Sequence, residues 1–188
     1  MRLFLAINLE ESTRAAVHAA AAPLRDAAPQ LAWVAERRLH LTLKFLGERP
    51  EHEVPRIAAA MDAAAGAHAA IPTAVGDFGA FPNFRRARIV WIGMDNEPRL
   101  ELVHHDVEMG CEAFGYPLDA RPFRPHVTLA RVKHQLGVEQ LRALSRAARA
   151  GAGASFPTVI RSIDLMCSTL RPEGAAYELL HASPLRES

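Results

Sequence analysis

The sequence predicts a mixed α/β (α+β) fold in which antiparallel-rich sheets, with helices on the outside, form two half-domains facing each other across a pseudo-twofold cleft. Three observations predict it. The tetrapeptide His40-Leu41-Thr42-Leu43 recurs 86 residues later as His126-Val127-Thr128-Leu129. The same shift carries the apolar run 3–7 onto 89–93, the helical-looking stretch 11–27 onto 97–113 and residues 51–65 onto 137–151, while a shift of 85 brings Pro72-Thr73 onto Pro157-Thr158. Short strand-like runs with hairpin-type turns are interspersed with stretches of helical spacing, the pattern of antiparallel sheets covered by helices. Identity between the copies is low, so order and spacing carry the duplication. A period this long indicates two copies of one plan, whereas solenoids repeat every ~20–50 residues.

Taken in order, residues 3–9 read as a buried strand, 11–27 as an amphipathic helix ended near Pro29, and 31–34 as a short strand. The first motif strand follows and ends near Gly47. Residues 51–65 are helical with Gly66 as the stop, and 71–81 and 88–94 are strands separated by the turn chemistry of Pro82-Asn83. Residues 97–114 form the next helix. Pro98 in its first turn costs no intrahelical donor, and Gly115 supplies a left-handed terminating residue. The Pro-rich approach Arg121-Pro122-Phe123-Arg124-Pro125 leads into the second motif strand. Residues 139–150 are helical, Gly151-Ala152-Gly153-Ala154 is a loop, and 158–170 and 176–181 are closing strands joined through Pro172-Glu173-Gly174. No linker divides the chain, so residues 1–188 read as one domain of two lobes.

Composition narrows the function classes. Of 188 residues 49% are apolar, enough for a sizeable core. No apolar stretch approaches the roughly 20 residues that span a bilayer, and the first residues run into acidic ones without a cleavage-like site, so no membrane and no secretion are expected. Two cysteines, Cys111 and Cys167, make no disulfide framework and fit a reducing cytoplasm. A net charge of +1 argues against wrapping long nucleic acid by bulk electrostatics and leaves room for a small anion-binding site.

The chemistry lies in the paired motifs. In a strand successive side chains alternate faces, so His40 and Thr42 share one surface while Leu41 and Leu43 turn to the core, and the second copy repeats this. Imidazole titrates near pH ~6.5, so one histidine can accept a proton while a second, kept protonated by an anion, donates one. Phosphodiester cleavage needs both transfers and stabilisation of the phosphoryl oxygens between them. The hydroxyls of Thr42 and Thr128 can donate to those oxygens. Arg131 can add a bidentate clamp. It stands five positions from His126, odd parity, so a regular strand would turn it away unless a bulge intervenes; Lys44, Arg38 and Arg124 have even parity and are alternative cations.

Each reading has a rival. A lone strand histidine is usually structural, but packing alone would not favour the same polar pair twice. Metal binding is the sharper rival, yet no carboxylate or cysteine lies at ligand spacing beside either motif. His104-His105-Asp106 sits mid-helix, where neighbours diverge by about 100°, so a solvated helix face is expected there. His18, His52, His68, His134 and His181 have no partner identifiable in the sequence. Trp33, Phe45 and Phe81 could stack a nucleobase, although aromatics near strands more often belong to cores.

The two motifs in their context, His40-Leu41-Thr42-Leu43-Lys44-Phe45-Leu46-Gly47 and Pro125-His126-Val127-Thr128-Leu129-Ala130-Arg131, with Arg2-Leu3-Phe4-Leu5-Ala6-Ile7 and with Ser168-Thr169-Leu170 followed by Gly174 and Tyr177, resemble the RNA 2′,3′-cyclic phosphodiesterases. These are also called 2′-5′ RNA ligases and belong to the 2H phosphoesterase superfamily. The resemblance implies a bilobal α/β fold with a pseudo-twofold cleft and an activity without metal or cofactor. The partner it implies is an RNA 3′ end or small nucleotide bearing a 2′,3′-cyclic phosphate, with no obligate protein partner evident. It further implies hydrolysis to a 2′-phosphomonoester, His126 as proton acceptor, His40 as proton donor, and Thr42, Thr128 and Arg131 as phosphate holders. Joining a cyclic-phosphate end to a 5′-hydroxyl in a 2′-5′ linkage would use the same groups. A rival of another class is a module that binds a nucleotide or RNA end without turnover.

Overall fold

The computed structural model describes residues 1–171 and 174–187. Its strands are β1 (Arg2–Asn8), β2 (Ala32–Trp33), β3 (His40–Glu48), β4 (Ile71–Phe81), β5 (Ile89–Met94), β6 (His126–Arg131), β7 (Ser155–Ile160), β8 (Ser162–Arg171) and β9 (Gly174–Pro184). The helices are α1 (Glu11–Ala20), α2 (Ala22–Ala27), α3 (Val54–Gly66), α4 (Pro98–Glu112) and α5 (Val138–Ala150). The strands pair antiparallel in two arms, β9-β8-β1-β3 and β6-β5-β4-β7, with β2 beside the end of β6. The arms meet where β3 pairs with β6, at Leu41 opposite Val127. The two antiparallel sheets expected from the sequence are thus continuous through one ladder position.

One face of this sheet is covered by helices. Ile57, Met61 and Ala65 of α3 and Leu100, Val103, Val107 and Cys111 of α4 recur at helical spacing and are buried. They pack in one core with Leu41, Leu43, Val127 and Leu129. Under the second arm Leu144 and Ala148 of α5 and Leu24 of α2 pack on Val90 and Ala130. Leu41 and Val127, 1% and 0% exposed, sit at the junction; burying a side chain of this size contributes about 1.5–3 kcal/mol. The other face is open and carries the motif side chains. Among the described residues no helix is long and apolar enough to cross a membrane.

The elements differ from the sequence expectation at two places. The helix expected over 11–27 is two helices, α1 and α2, separated at Ala21. Pro23 has no N–H for the carbonyl of Ala19 and its ring would strike that carbonyl, so one helix ends and the next begins with Pro23 in its first turn. The strand expected over 158–170 is also two, β7 and β8, separated by Arg161 alone. β7 pairs with β4 in one arm and β8 with β1 in the other, so Arg161 carries the chain across between them. Gly115, at φ +84°, follows α4 in the left-handed conformation expected of it. In the connection expected at Pro172-Glu173-Gly174, Pro172 and Glu173 lie outside the described residues.

Candidate active site

His40 and Thr42 on β3, and His126 and Thr128 on β6, are half-buried on the open face, while Leu41, Leu43, Val127 and Leu129 are buried on the helix side. With Leu41 opposite Val127, antiparallel register sets His40 level with Thr128 and Thr42 level with His126. The fold therefore gathers the four side chains at the junction of the arms. His40 Nδ1 lies 2.7 Å from the carbonyl oxygen of Arg38, and His126 Nδ1 lies 2.7 Å from that of Arg124. A carbonyl oxygen only accepts, so each Nδ1 carries the hydrogen and donates it. Nε2 is left as the atom that takes up or releases a proton on each ring.

Both imidazoles are held below the ordinary histidine pKa. Burial is the main cause for each, the carbonyl hydrogen bond acts the other way, and the positive charge of Arg131 lowers both further. One guanidinium within electrostatic reach of both rings places Arg131 at the site in spite of its parity. The reason is a bulge: Trp91 pairs with Thr128 but Val90 pairs with Ala130, so the β6 alternation slips and Leu129 and Ala130 both turn to the core. Arg131 then returns to the open face, exposed.

β3 has a matching slip. Ala6 pairs with Thr42 and Leu5 with Lys44, so Leu43 and Lys44 are both buried and Phe45 comes out at the place that Arg131 holds on β6. Lys44, an alternative cation by parity, is therefore on the wrong face. Its Nζ donates to Glu108 Oε1 at 2.6 Å and to the Pro117 carbonyl at 2.9 Å, with lysine and glutamate side chains 7% and 8% exposed. Arg38 donates from Nη1 to the Ala175 carbonyl, so its contribution to the site is the backbone oxygen that holds His40. Arg124 is exposed and likewise offers its carbonyl to His126.

Aromatic rings wall the site. His40 lies 5.2 Å from Phe4 and 5.3 Å, edge-on, from Tyr177. His126 is edge-on to Phe81 at 4.9 Å, and Trp91 lies beyond at 6.2 Å. Trp91 lies across Gly79, where a Cβ would come 2.2 Å from its indole, so only glycine fits beneath. Phe4, Tyr177 and Trp91 are not among the site residues that the sequence singles out. The signal lies in their parity: Phe4 stands between Leu3 and Leu5, and Trp91 between Val90 and Ile92, pairs that face the core. The 86-residue alignment hides it by laying Phe4 on Val90, which face opposite sides; relative to the two threonines, Ala6 and Trp91 hold the same ladder position, an offset of 85. Beside His40, Asn8 Nδ2 donates at 2.6 Å to the buried carboxylate of Asp164.

The other histidines fall elsewhere. His104, expected on a solvated face, is stacked on Phe123 at 3.9 Å with Nε2 3.9 Å from Glu108 Oε1, because that face of α4 meets the loop before β6. His68 pairs with Asp106 and His181 with Asp62, each at 2.7 Å. Trp33 donates to the Ala28 carbonyl at 3.0 Å and packs in the core. Among the described residues no three His, Cys, Asp or Glu side chains are grouped to hold a metal ion.

The chain is similar to known proteins over nearly its whole length. A protein of Thermus thermophilus named RNA 2′,3′-cyclic phosphodiesterase is 35% identical over 99% of this chain and 91% of its own. One of the same name from Geobacillus stearothermophilus is 30% identical over 97% of this chain, which spans 56% of that relative's length. The crystal structure of a Thermus thermophilus protein superposes with a TM-score of 0.79 at 32% identity, covering 100% of both chains. A family profile described as the 2′-5′ RNA ligase superfamily matches residues 10–163, and the chain belongs to that superfamily.

Proposed function

We propose that the protein hydrolyses 2′,3′-cyclic phosphates, at RNA 3′ ends or on small nucleotides, to 2′-phosphomonoesters by two-histidine acid–base catalysis without a metal or cofactor. It is an enzyme of the kind its relatives are named for, RNA 2′,3′-cyclic phosphodiesterase. The observation that carries the finer reading is the pair of imidazoles with Nδ1 committed to a carbonyl, Nε2 left to exchange protons, and one arginine charge acting on both. His126 Nε2 takes a proton from water as the water oxygen attacks phosphorus. The bond from phosphorus to the 3′ oxygen breaks, and His40 Nε2 gives that oxygen its proton. Thr42 and Thr128 donate hydroxyl hydrogen bonds to the nonbridging oxygens, and Arg131 offsets their charge.

The cycle leaves His126 protonated and His40 neutral, and exchange with water restores the starting state. With a 5′-hydroxyl in place of water the same groups form a 2′-5′ linkage, and by microscopic reversibility they also cleave it. We read residues 1–188 as one domain of two pseudo-symmetric lobes working in the cytoplasm, each lobe supplying one histidine and one threonine. The matched bulges of β3 and β6 support this reading. Incubating the protein with 2′,3′-cyclic AMP and resolving the product from 2′-AMP and 3′-AMP standards tests it. The expected product is 2′-AMP; 3′-AMP would exchange the leaving oxygen, and recovery of unchanged substrate would leave only a binding module.

A further inference from the structure

We infer that His104 of α4 is a positioning residue for His126: by seating Phe123 it fixes the Arg124 carbonyl on which the His126 ring is held. This rests on the reading above, in which His126 exchanges protons at Nε2, and adds the residue that keeps its ring turned to do so. The two motif histidines receive their carbonyls from unlike supports. Ahead of β3, Arg38 lies in a 3-10 turn over Glu36–Arg38, its N–H donating to the Ala35 carbonyl at 2.9 Å and the Leu39 N–H to the Glu36 carbonyl at 3.1 Å. Ahead of β6, no helix or strand covers residues 116–125. Backbone hydrogen bonds reach that loop at its two ends, from the Tyr116 N–H to the Cys111 carbonyl at 3.2 Å and from the Met94 N–H to the Pro125 carbonyl at 3.1 Å. Among the described residues no backbone–backbone hydrogen bond holds 117–124.

Side chains hold the loop instead. Lys44 Nζ donates to the Pro117 carbonyl at 2.9 Å, the Asp119 N–H donates to Glu108 Oε2 at 2.9 Å, and Phe123 lies flat on His104, ring centroids 3.9 Å apart and planes 10° from parallel. Pro117 and Asp119 stand seven and five residues before Arg124, whereas Phe123 adjoins it. A residue before proline is confined to extended backbone, so Arg124, between a seated Phe123 and a Pro125 bonded to β5, has little freedom left in the direction of its carbonyl. A reacting group is held in place through such packed supports. His104 suits the seat because its two aspects differ: the ring face takes the phenyl, and Nε2 lies 3.9 Å from Glu108 Oε1. Burial holds its pKa below the ordinary value against the charges of Glu108 and Asp119 and the backbone of Leu43, with Lys44 adding to the lowering, so the stacked ring is uncharged at neutral pH.

Long-range proton–nitrogen NMR of the imidazoles tests this in the resting protein, comparing the wild type, His104→Ala, His104→Phe and Phe123→Ala. Loss of either stacking partner is expected to lower the share of His126 that carries its proton on Nδ1. The bond to the Arg124 carbonyl raises the His126 pKa, so that pKa should fall as well, with Arg131, Phe81 and Trp91 still in place around the ring. His40, whose carbonyl comes from the 3-10 turn, should not move, and His104→Phe, which keeps the stacking face, should keep the wild-type His126 signals. Combining His104→Ala with Phe123→Ala should do no more than either alone, since both remove one contact. On 2′,3′-cyclic AMP the alanine variants should lose about 10-fold in kcat with KM within about 2-fold, the scale on which a small misplacement of a reacting group acts. Unchanged His126 signals in both alanine variants would overturn the inference, and so would equal movement of His40 and His126, which would make the stack a general support of the fold. Should His104→Ala not fold, Phe123→Ala decides alone. The NMR signals need no turnover, so hydrolysis by the wild type judges the proposed reaction separately.

Discussion

The two motif strands are alike up to the bulge and unlike after it. On β3 and on β6 an imidazole donates to the carbonyl two residues back at 2.7 Å, a threonine follows on the same face, and the ladder slips. Past the slip, β3 continues with buried Lys44 and exposed Phe45, whereas β6 continues with buried Ala130 and exposed Arg131. The shared part can move a proton in either direction and does not distinguish the two sides of a phosphorus centre. The unshared part does, because charge stands on one strand and an apolar ring on the other.

Removing either histidine breaks the shared part. His40→Ala and His126→Ala are each expected to lower kcat by about 10²–10⁴-fold with circular dichroism unchanged; substantial activity in either variant would end the acid–base reading. A phosphodiester with a p-nitrophenolate leaving group sharpens the comparison, since that group departs without a proton. On it His40→Ala should recover activity and His126→Ala should not, and the reverse result would exchange their roles.

The next effect concerns stability. Lys44→Met leaves the Glu108 carboxylate buried without its cation and should cost about 3–5 kcal/mol by urea unfolding. Lys44→Met with Glu108→Leu should regain most of it, because apolar pairs often replace buried ion pairs without loss. A double variant no more stable than the single would assign the pair a larger part in holding the loop before β6, whose Asp119 N–H also donates to Glu108 at 2.9 Å.

Arg131→Ala should lower kcat/KM by about 10–100-fold, the scale of a hydrogen bond to a charged group, and should also move its pH profile. Both imidazoles in the free protein lie below the ordinary histidine value, so the singly protonated pair is at its most abundant on the acid side of pH ~6.5 and gives way to the neutral pair above it. kcat/KM therefore falls as pH rises through neutrality. Arg131 lowers both rings, so its removal raises both pKa values and carries the profile toward alkali; an acid shift would contradict its placement. Thr42→Val and Thr128→Val should have the smallest effects, about 5–10-fold each in kcat, as for one lost hydrogen bond. Unequal losses would tell which strand carries more of the developing charge.

Much of this arrangement is legible in the amino-acid sequence alone. Alternation of polar and apolar residues writes the face of a strand into its sequence, so the grouping of His40 with Thr42 and of His126 with Thr128 follows from spacing. Bulges are not written that way, since they arise from how one strand meets its neighbour. That is why parity favours Lys44 and disfavours Arg131, and why an even offset matches Phe4 with Val90. Arg161 carries no turn signature, so the apolar residues on either side of it read as one strand although the chain changes partners there. Ala-rich spacing conceals the break at Ala21 for a similar reason, helix propensity being high on both sides of Pro23.

The passage at Arg161 has a consequence for how the molecule is made. β1 and β3 are synthesised before the second arm, yet the neighbour that covers the far edge of β1 is β8, which begins at Ser162, after it. The second arm, β4 to β7, can close as soon as its own strands have emerged, while the first waits with an unpaired apolar edge. Such an edge invites pairing with the wrong chain. Slow translation of β8 and β9, or a deletion that removes them, should therefore expose an aggregation-prone intermediate, and the demand for chaperone assistance with this protein should last until β8 has emerged.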